Sequence, residues 1–413
     1  MGPRSRGYHH RDVVPYLVVF ASSFVATFVT TPAVRRLSLR LGWIDPPSDR
    51  KVHPRPTPTA GGIAIFVGLA VGLALSRVLP FLSGLHETTS DPDAAIVAGL
   101  VILGVGLLDD TRGVSVLGKL AGQILGAGLL VLFGVQLLYF YFPGQGILVL
   151  SPDLAVPLTV LWVVAMMNAV NLIDGLDGLA AGMVAIAAVA FFVYIYRTGG
   201  GADPSTAALI SAVVAGSALG FLPWNFYPAK IFMGDSGAML LGLMLGVATI
   251  SGVGSNANGP SRGDFAALAI PIAVPLLVLA VPFLDVLLAI IRRMRKGLGI
   301  THADKQHIHH RLLDIGHSHR EAVLLMYVWS ALISICALAV AFINGRLVVG
   351  GIVIVAVTAA AVLPRLIRDR APRGSDPRRQ PRRNGWGARR ANRHAAATRT
   401  VRGTKAPEAE RRG

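Results

Sequence analysis

The chain has 413 residues, of which 53% are hydrophobic and only 15% charged, a balance that excludes an ordinary water-soluble globular protein. Its net charge of +17 is concentrated: residues 365–413 hold 16 Lys+Arg against 4 Asp+Glu, so the excess charge is not a nucleic-acid surface spread over a folded domain. One cysteine, Cys336, excludes a disulfide framework and a thiolate-ligated metal.

About eleven apolar runs reach the roughly 20 residues needed to cross about 30 Å of hydrocarbon. In chain order they lie at about 13–34, 61–83, 93–108, 117–140, 154–171, 178–196, 205–223, 236–254, 264–290, 322–343 and 346–366. The expected fold is an all-α polytopic membrane protein with about 11 transmembrane helices. Residues 1–12 form a short extracytoplasmic start, 13–367 the membrane domain and 368–413 a disordered basic tail. The first run follows a polar start without a small-residue cleavage site, so it reads as a retained span. Odd-numbered spans are followed by the polar segments 35–60, 109–116, 171–178, 224–235 and 292–320. Lys and Arg follow the same parity, which marks that side as cytoplasmic and puts the N-terminus outside and the C-terminus inside, against the weight of Arg4, Arg6 and Arg11.

The polar segments carry the chemistry. Asp45-Pro46-Pro47-Ser48-Asp49-Arg50-Lys51-Val52-His53 leads through Thr57-Pro58-Thr59-Ala60 into Gly61-Gly62, and its cations suit an anionic phosphate. Span three is uncharged until Asp109-Asp110. Adjacent carboxylates at an apolar helix end repel and resist desolvation, so they need a cation or a proton unless the helix end is simply solvated. Lys119 and Gln123, four apart on one helix face, follow within reach of phosphate or of that pair. Span five closes on Asn168, Asn171, Asp174, Gly175, Asp177 and Gly178, with the two acids on one side of a helical turn; an Asx-Gly turn capping the next helix is the alternative. Asp235, in Phe232-Met233-Gly234-Asp235-Ser236-Gly237, is either an N-cap or part of an oxygen site for a hard divalent ion that keeps waters and binds substrate phosphates, as Mg²⁺ does. The last segment runs from Arg292-Arg293 to Asp304-Lys305-Gln306-His307-Ile308-His309-His310-Arg311. With His302 its histidines are a candidate zinc site, but abundant carboxylates without thiolates favour a hard ion. All these groups fall on one side of the membrane. An ion-coupled transporter also carries intramembrane acids, but typically near the midplane within broken helices or repeats, and no repeat is visible here.

Taken in order, the Arg50-Lys51-Val52-His53 loop, Asp109-Asp110, the Asn171-to-Gly178 run, Asn225 with Phe232-Met233-Gly234-Asp235, and His307-Ile308-His309-His310 resemble the polyprenyl-phosphate N-acetylhexosamine-1-phosphate transferase family over about residues 14–366. The Arg-Lys-Val-His loop and the His-Ile-His-His spacing are similar to its N-acetylglucosamine branch. Thr57-Pro58-Thr59-Ala60-Gly61-Gly62 is close to a signature of the phospho-N-acetylmuramoyl-pentapeptide branch, which remains the alternative.

The resemblance implies that a lipid phosphate attacks the β-phosphorus of a UDP-sugar and releases UMP, at a cytoplasmic-face site in a bacterial inner membrane, as the first membrane step of a cell-envelope glycan. It implies Mg²⁺, with Mn²⁺ as a substitute, held by Asp235 and Asp110, and Asp109 orienting or deprotonating the lipid phosphate. Asn171, Asp174 and Asp177 are the implied nucleotide contacts, Phe232 a stacking partner for uracil, Asn225 a ribose or phosphate contact and Lys119 a phosphate contact. Arg293, His307, His309 and His310 are implied for the sugar and diphosphate, with Lys51, His53 and Arg311 as further substrate-binding residues. The implied partners are a UDP-sugar donor, undecaprenyl or decaprenyl phosphate, and anionic lipid headgroups beneath the basic tail; nucleic acid is not among them, and a homodimer is left open.

Overall fold

Along helix α1 (Val14–Leu41) the buried residues Tyr16, Val19, Ser23, Thr27, Thr31, Val34 and Ser38 recur every three or four positions, one stripe of a 3.6-residue helix. Val14, Leu17, Val25 and Val29 point the other way and are exposed. A polar-edged inner stripe with an apolar outer face is the reverse of a soluble amphipathic helix and is stable only against lipid. The computed structural model describes residues 13–46, 56–142, 146–198, 203–254 and 318–342. All of them fall within one compact unit, Met1–Val355, and the second unit, Ala356–Gly413, which contains the basic tail, lies outside the described residues.

After α1, strand β1 (Ile44–Asp45) pairs antiparallel with β2 (Thr57–Pro58), Ile44 opposite Pro58 and Asp45 opposite Thr57. Then come α2 (Gly62–Ser76), the single turns α3 (Pro80–Ser83) and α4 (Leu85–Thr88), α5 (Asp91–Arg112) and α6 (Val116–Leu132). The antiparallel strands β3 (Tyr139–Phe142) and β4 (Gly146–Val149) precede α7 (Pro152–Ile173), α8 (Leu179–Thr198), α9 (Thr206–Asn225), α10 (Gly234–Gly254) and α11 (His319–Phe342). Helices α8, α9 and α10 are buried on most sides and form the centre, with Phe191, Tyr194, Phe221, Leu240 and Met244 in the core. Helices α1 and α2 pack on α9, α5 and α7 on α10, and α11 on α8.

Seven described helices are long and apolar enough to cross a membrane, or eight if one bent pair is counted as a span. The expected eleven are therefore not all seen: 264–290 and 346–366 lie outside the described residues, and two runs take a different form. The expected span 61–83 breaks after Ser76, and the helical segment Pro80–Thr88 leaves it at 93°. Pro80 has no N–H to extend the ladder, and Leu79 before it is extended, as a residue preceding proline prefers. The expected span 117–140 stops at Leu132, about 26 Å along the helix axis. Gly134 takes a left-handed turn there, and the aromatic run Tyr139–Phe142 pairs as a strand instead. The all-α expectation is corrected accordingly by two small two-stranded sheets.

The C-terminal ends of α1, α5, α7 and α9 meet the N-terminal ends of α2, α6, α8, α10 and α11. Main-chain bonds stitch this end together: Gly61 and Gly62 donate to the carbonyls of Phe232 and Met233, Phe232 donates to Pro58 O, and Ser38 Oγ donates to Thr59 O. They satisfy N–H groups that the start of α2 leaves without helical partners.

Candidate active site

Asp110 ends α5 facing the first turn of α10. Its Oδ1 accepts from Asp235 N at 2.7 Å, and its Oδ2 accepts from Ser236 N at 3.3 Å and Ser236 Oγ at 2.7 Å. A carboxylate there is a long-range cap: it supplies acceptors to unpaired helix N–H groups and sits at the positive end of the α10 dipole. The approach requires glycine at 234, where φ is +70° and a Cβ would lie 2.4 Å from Asp110 Oδ2. The expected metal ligand Asp110 thus has both of its oxygens bonded to the first turn of α10, and it fixes the residue after Gly234, which is Asp235.

Asp235 is then held among side chains from two other helices. Its Oδ1 accepts from Asn171 Nδ2 of α7 at 2.7 Å, and its Oδ2 forms an ion pair with Lys119 Nζ of α6. Lys119 also reaches Asp109 Oδ2 at 3.1 Å and donates to Asn171 Oδ1 at 3.2 Å. Asp109 Oδ1 accepts from Val114 N at 2.8 Å, which orients the carboxylate from its own helix end. Lys119, the expected phosphate contact, has its ammonium between two carboxylates and an amide oxygen. Ser115 Oγ accepts from Gly118 N and caps α6, which sets the helix start that aims Lys119 inward.

Asp174 follows α7 in the connection to α8. Burial, followed by the negative charges of Asp235, Asp110 and Asp177, pushes its carboxyl up to about 8. Asp177 plays a different part: its Oδ2 accepts from Ala229 N at 2.9 Å, and its own N–H donates to His319 Nε2 at 3.1 Å. Asn225 is 2% exposed, its Oδ1 accepting from Gly178 N and its Nδ2 donating to Ile231 O. In this geometry Asn225, expected at ribose or phosphate, and Asp177, expected at the nucleotide, both bond the main chain. Gln123 is buried and bonded to Asn168. Phe232 is partly buried, with both its main-chain polar groups bonded to residues 58–61. Lys51, His53, Arg293, His307, His309, His310 and Arg311 lie outside the described residues.

Ser236, Tyr227 and His319 were not anticipated. The readable signal was the Ser318-x-x-Glu321 spacing, a capping box that starts α11: Ser318 N donates to Glu321 Oε2 and Glu321 N to Ser318 Oγ.

Among the described residues no three His, Cys, Asp or Glu side chains converge as a ready-made metal cage. Mg²⁺ ordinarily takes one or two carboxylates and completes its shell with waters and substrate phosphates. The oxygens of Asp109, Asp235 and Asn171 that converge on the Lys119 ammonium fit such an ion, because this donor set is hard and already surrounds a cation.

The chain has relatives among known proteins. The profile described as "Glycosyl transferase family 4" matches residues 94–253, from α5 through α10. This chain is 44% identical over 364 residues to the decaprenyl-phosphate N-acetylglucosaminephosphotransferase of Mycobacterium tuberculosis, covering 85% of this chain and 89% of the relative. It is 36% identical over 326 residues to the probable undecaprenyl-phosphate N-acetylglucosaminyl 1-phosphate transferase of Bacillus subtilis, covering 79% and 85%. It is 34% identical over 277 residues to the phospho-N-acetylmuramoyl-pentapeptide-transferase of Mycolicibacterium smegmatis, covering 57% and 76%.

Proposed function

The chain belongs to glycosyl transferase family 4, and on that premise we propose that it begins a bacterial cell-envelope glycan from the cytoplasmic face of the inner membrane. It is a polyprenyl-phosphate N-acetylglucosamine-1-phosphate transferase. An oxygen of the lipid phosphate attacks the β-phosphorus of UDP-N-acetylglucosamine. The bond from that phosphorus to the bridging oxygen breaks, UMP leaves, and a polyprenyl-diphosphate sugar remains. The observation that carries the reading is the extent of similarity to N-acetylglucosamine phosphotransferases, which covers 85% of this chain for one relative and 79% for another.

Two polyanions must meet, so the chief demand on the protein is neutralisation and in-line positioning. Asp235 and Asp109, with Asn171 Oδ1, are the residues to hold Mg²⁺, with Mn²⁺ as a substitute. A bound divalent ion supplies charge neutralisation to the diphosphate. Asp110 serves that site indirectly, by fixing the first turn of α10. Lys119 is the protein's own cation at the same place and the group to meet phosphate when a metal takes over the carboxylates. Asp109 orients the acceptor; a phosphate monoester has a second pKa near about 6 and needs little help to ionise. Arg35, Arg36, Arg40, Lys230 and Arg320 stand at the acidic end, which supports its assignment to the cytoplasmic side.

The test offers purified full-length protein UDP-N-acetylglucosamine, UDP-N-acetylgalactosamine and UDP-N-acetylmuramoyl-pentapeptide separately, each with Mg²⁺ and either decaprenyl or undecaprenyl phosphate. UMP release with UDP-N-acetylglucosamine, lost in excess chelator and restored by Mg²⁺, is the expected result. Turnover of the pentapeptide donor alone would move the chain to the muramoyl branch, and full activity in chelator would remove the metal.

A further inference from the structure

We propose that His319 is a positioning residue of the transfer reaction, holding the 174–178 connection that follows Asn171 of the acidic cluster. The proposal rests on the transferase reading above and concerns a residue outside the acidic cluster. His319 is 8% exposed, in the first turn of α11, where the Ser318–Glu321 capping box fixes the helix start. Its Nε2 accepts the Asp177 N–H at 3.1 Å. An imidazole nitrogen that accepts carries no proton, so the neutral ring holds its proton on Nδ1. That Nδ1 is buried without a hydrogen-bond partner among the described residues. Leaving a buried donor unmet has a cost that a Leu or Phe filling the same space would avoid. The ring's contribution is therefore its acceptor.

The contacts around His319 close a ring. Its imidazole stacks on Tyr227, with centroids 4.4 Å apart and planes at 20°. Arg320 Nε donates to Tyr227 O at 3.2 Å, and its guanidinium lies 6.0 Å from the Tyr227 ring centroid. Two residues beyond Tyr227, Ala229 N donates to the Asp177 carboxylate at 2.9 Å. Tyr327, two turns along α11, donates its hydroxyl to Gly178 O at 2.5 Å, while Asn225 takes Gly178 N–H. The 174–178 connection is thus held from α11 and from the α9–α10 connection at once. Asn171, three residues before Asp174, donates to the Asp235 carboxylate, so a connection that shifts at 174–178 shifts the end of α7 that carries a member of the acidic cluster.

His319→Phe keeps a ring to stack on Tyr227 and removes the acceptor; His319→Gln places an amide oxygen near the position of Nε2. The experiment purifies both full-length variants with the wild type and measures melting in detergent, kcat, and KM for UDP-N-acetylglucosamine by UMP release. Expected are a folded His319→Phe protein with kcat lowered on the order of 100-fold and KM changed by less than about threefold, and a His319→Gln protein restored to within about tenfold of wild type. Wild-type kcat in His319→Phe, no recovery in His319→Gln, or failure of both variants to fold would each overturn the proposal. A wild-type protein that releases no UMP would overturn the transferase reading instead.

Discussion

Replacing Lys119 with Met keeps an unbranched apolar stem, one atom shorter, and removes the ammonium that joins Asp109 to Asp235. At an effective dielectric of about 20, opposite charges at the 3.1 Å of the Lys119–Asp109 pair attract by about 5 kcal/mol, and the contact with Asp235 adds to this. The three side chains are between 16% and 32% exposed, so solvent screens them only in part. Removing one member of such a pair leaves uncompensated charge and typically costs about 3–5 kcal/mol, from which recovered side-chain freedom is subtracted. A divalent ion can supply the missing charge without displacing anything. In the wild type it must first displace Lys119. Each factor of ten in affinity corresponds to about 1.4 kcal/mol, so the expected result for Lys119→Met is Mn²⁺ binding at least about tenfold tighter than wild type in the absence of substrate. The measurement is an electron paramagnetic resonance titration of purified protein in detergent. In the same variant the melting midpoint falls in chelator and rises more steeply than wild type on adding Mg²⁺, while UMP release drops because the phosphates lose their cation. Mn²⁺ affinity equal to or weaker than wild type, with an unchanged midpoint in chelator, would refute the competition.

Gly234→Ala should abolish UMP release, because the new Cβ falls 2.4 Å from Asp110 Oδ2 at a backbone φ of +70°, which breaks the cap and displaces Asp235; activity near wild type would remove the capping role of Asp110. Asp110→Ala is expected to lose activity together with about 1–2 kcal/mol of stability, whereas an Asp110 variant that loses metal binding with α10 intact would return it to the ligand set. Asp174 gives a pH dependence of definite sign. Its carboxyl is raised to about 8 in the fold, so the folded state holds the proton more tightly than the unfolded chain. Metal-free stability therefore declines as pH rises from about 4 through about 8. Asp174→Asn lacks this decline, so its melting midpoint in chelator should exceed wild type by more at pH 8.5 than at pH 5, and Mg²⁺ should narrow the gap. A gap that closes with rising pH contradicts the assignment.

Much of this protein was legible along the chain, because membrane spans are long, apolar and alternate in direction. A motif after an odd-numbered span must lie at the same end of the bundle as every other such motif, whatever the packing between them. That reasoning placed Asp109, Asp110, Asn171, Asp174, Asp177, Asn225 and Asp235 together, and the structure does bring them to one end. It misjudged 61–83 and 117–140, where hydropathy continued but backbone chemistry did not. Pro80 ended one helix, and Gly134 with an aromatic run ended the other.

What each acid does was decided only by tertiary structure. Asp109 and Asp110 are adjacent and chemically identical, yet one faces an ammonium from α6 while the other is consumed by the N–H groups of α10. Asp174 and Asp177 divide in the same way, one left among like charges and the other tied to Ala229. His319 meets the 174–178 connection through the Asp177 N–H, a main-chain group far away in the chain. The physical reason is common to all of them. Hydropathy and parity depend on each segment separately, whereas the free oxygens of a carboxylate depend on which unpaired donors a neighbouring helix presents to it.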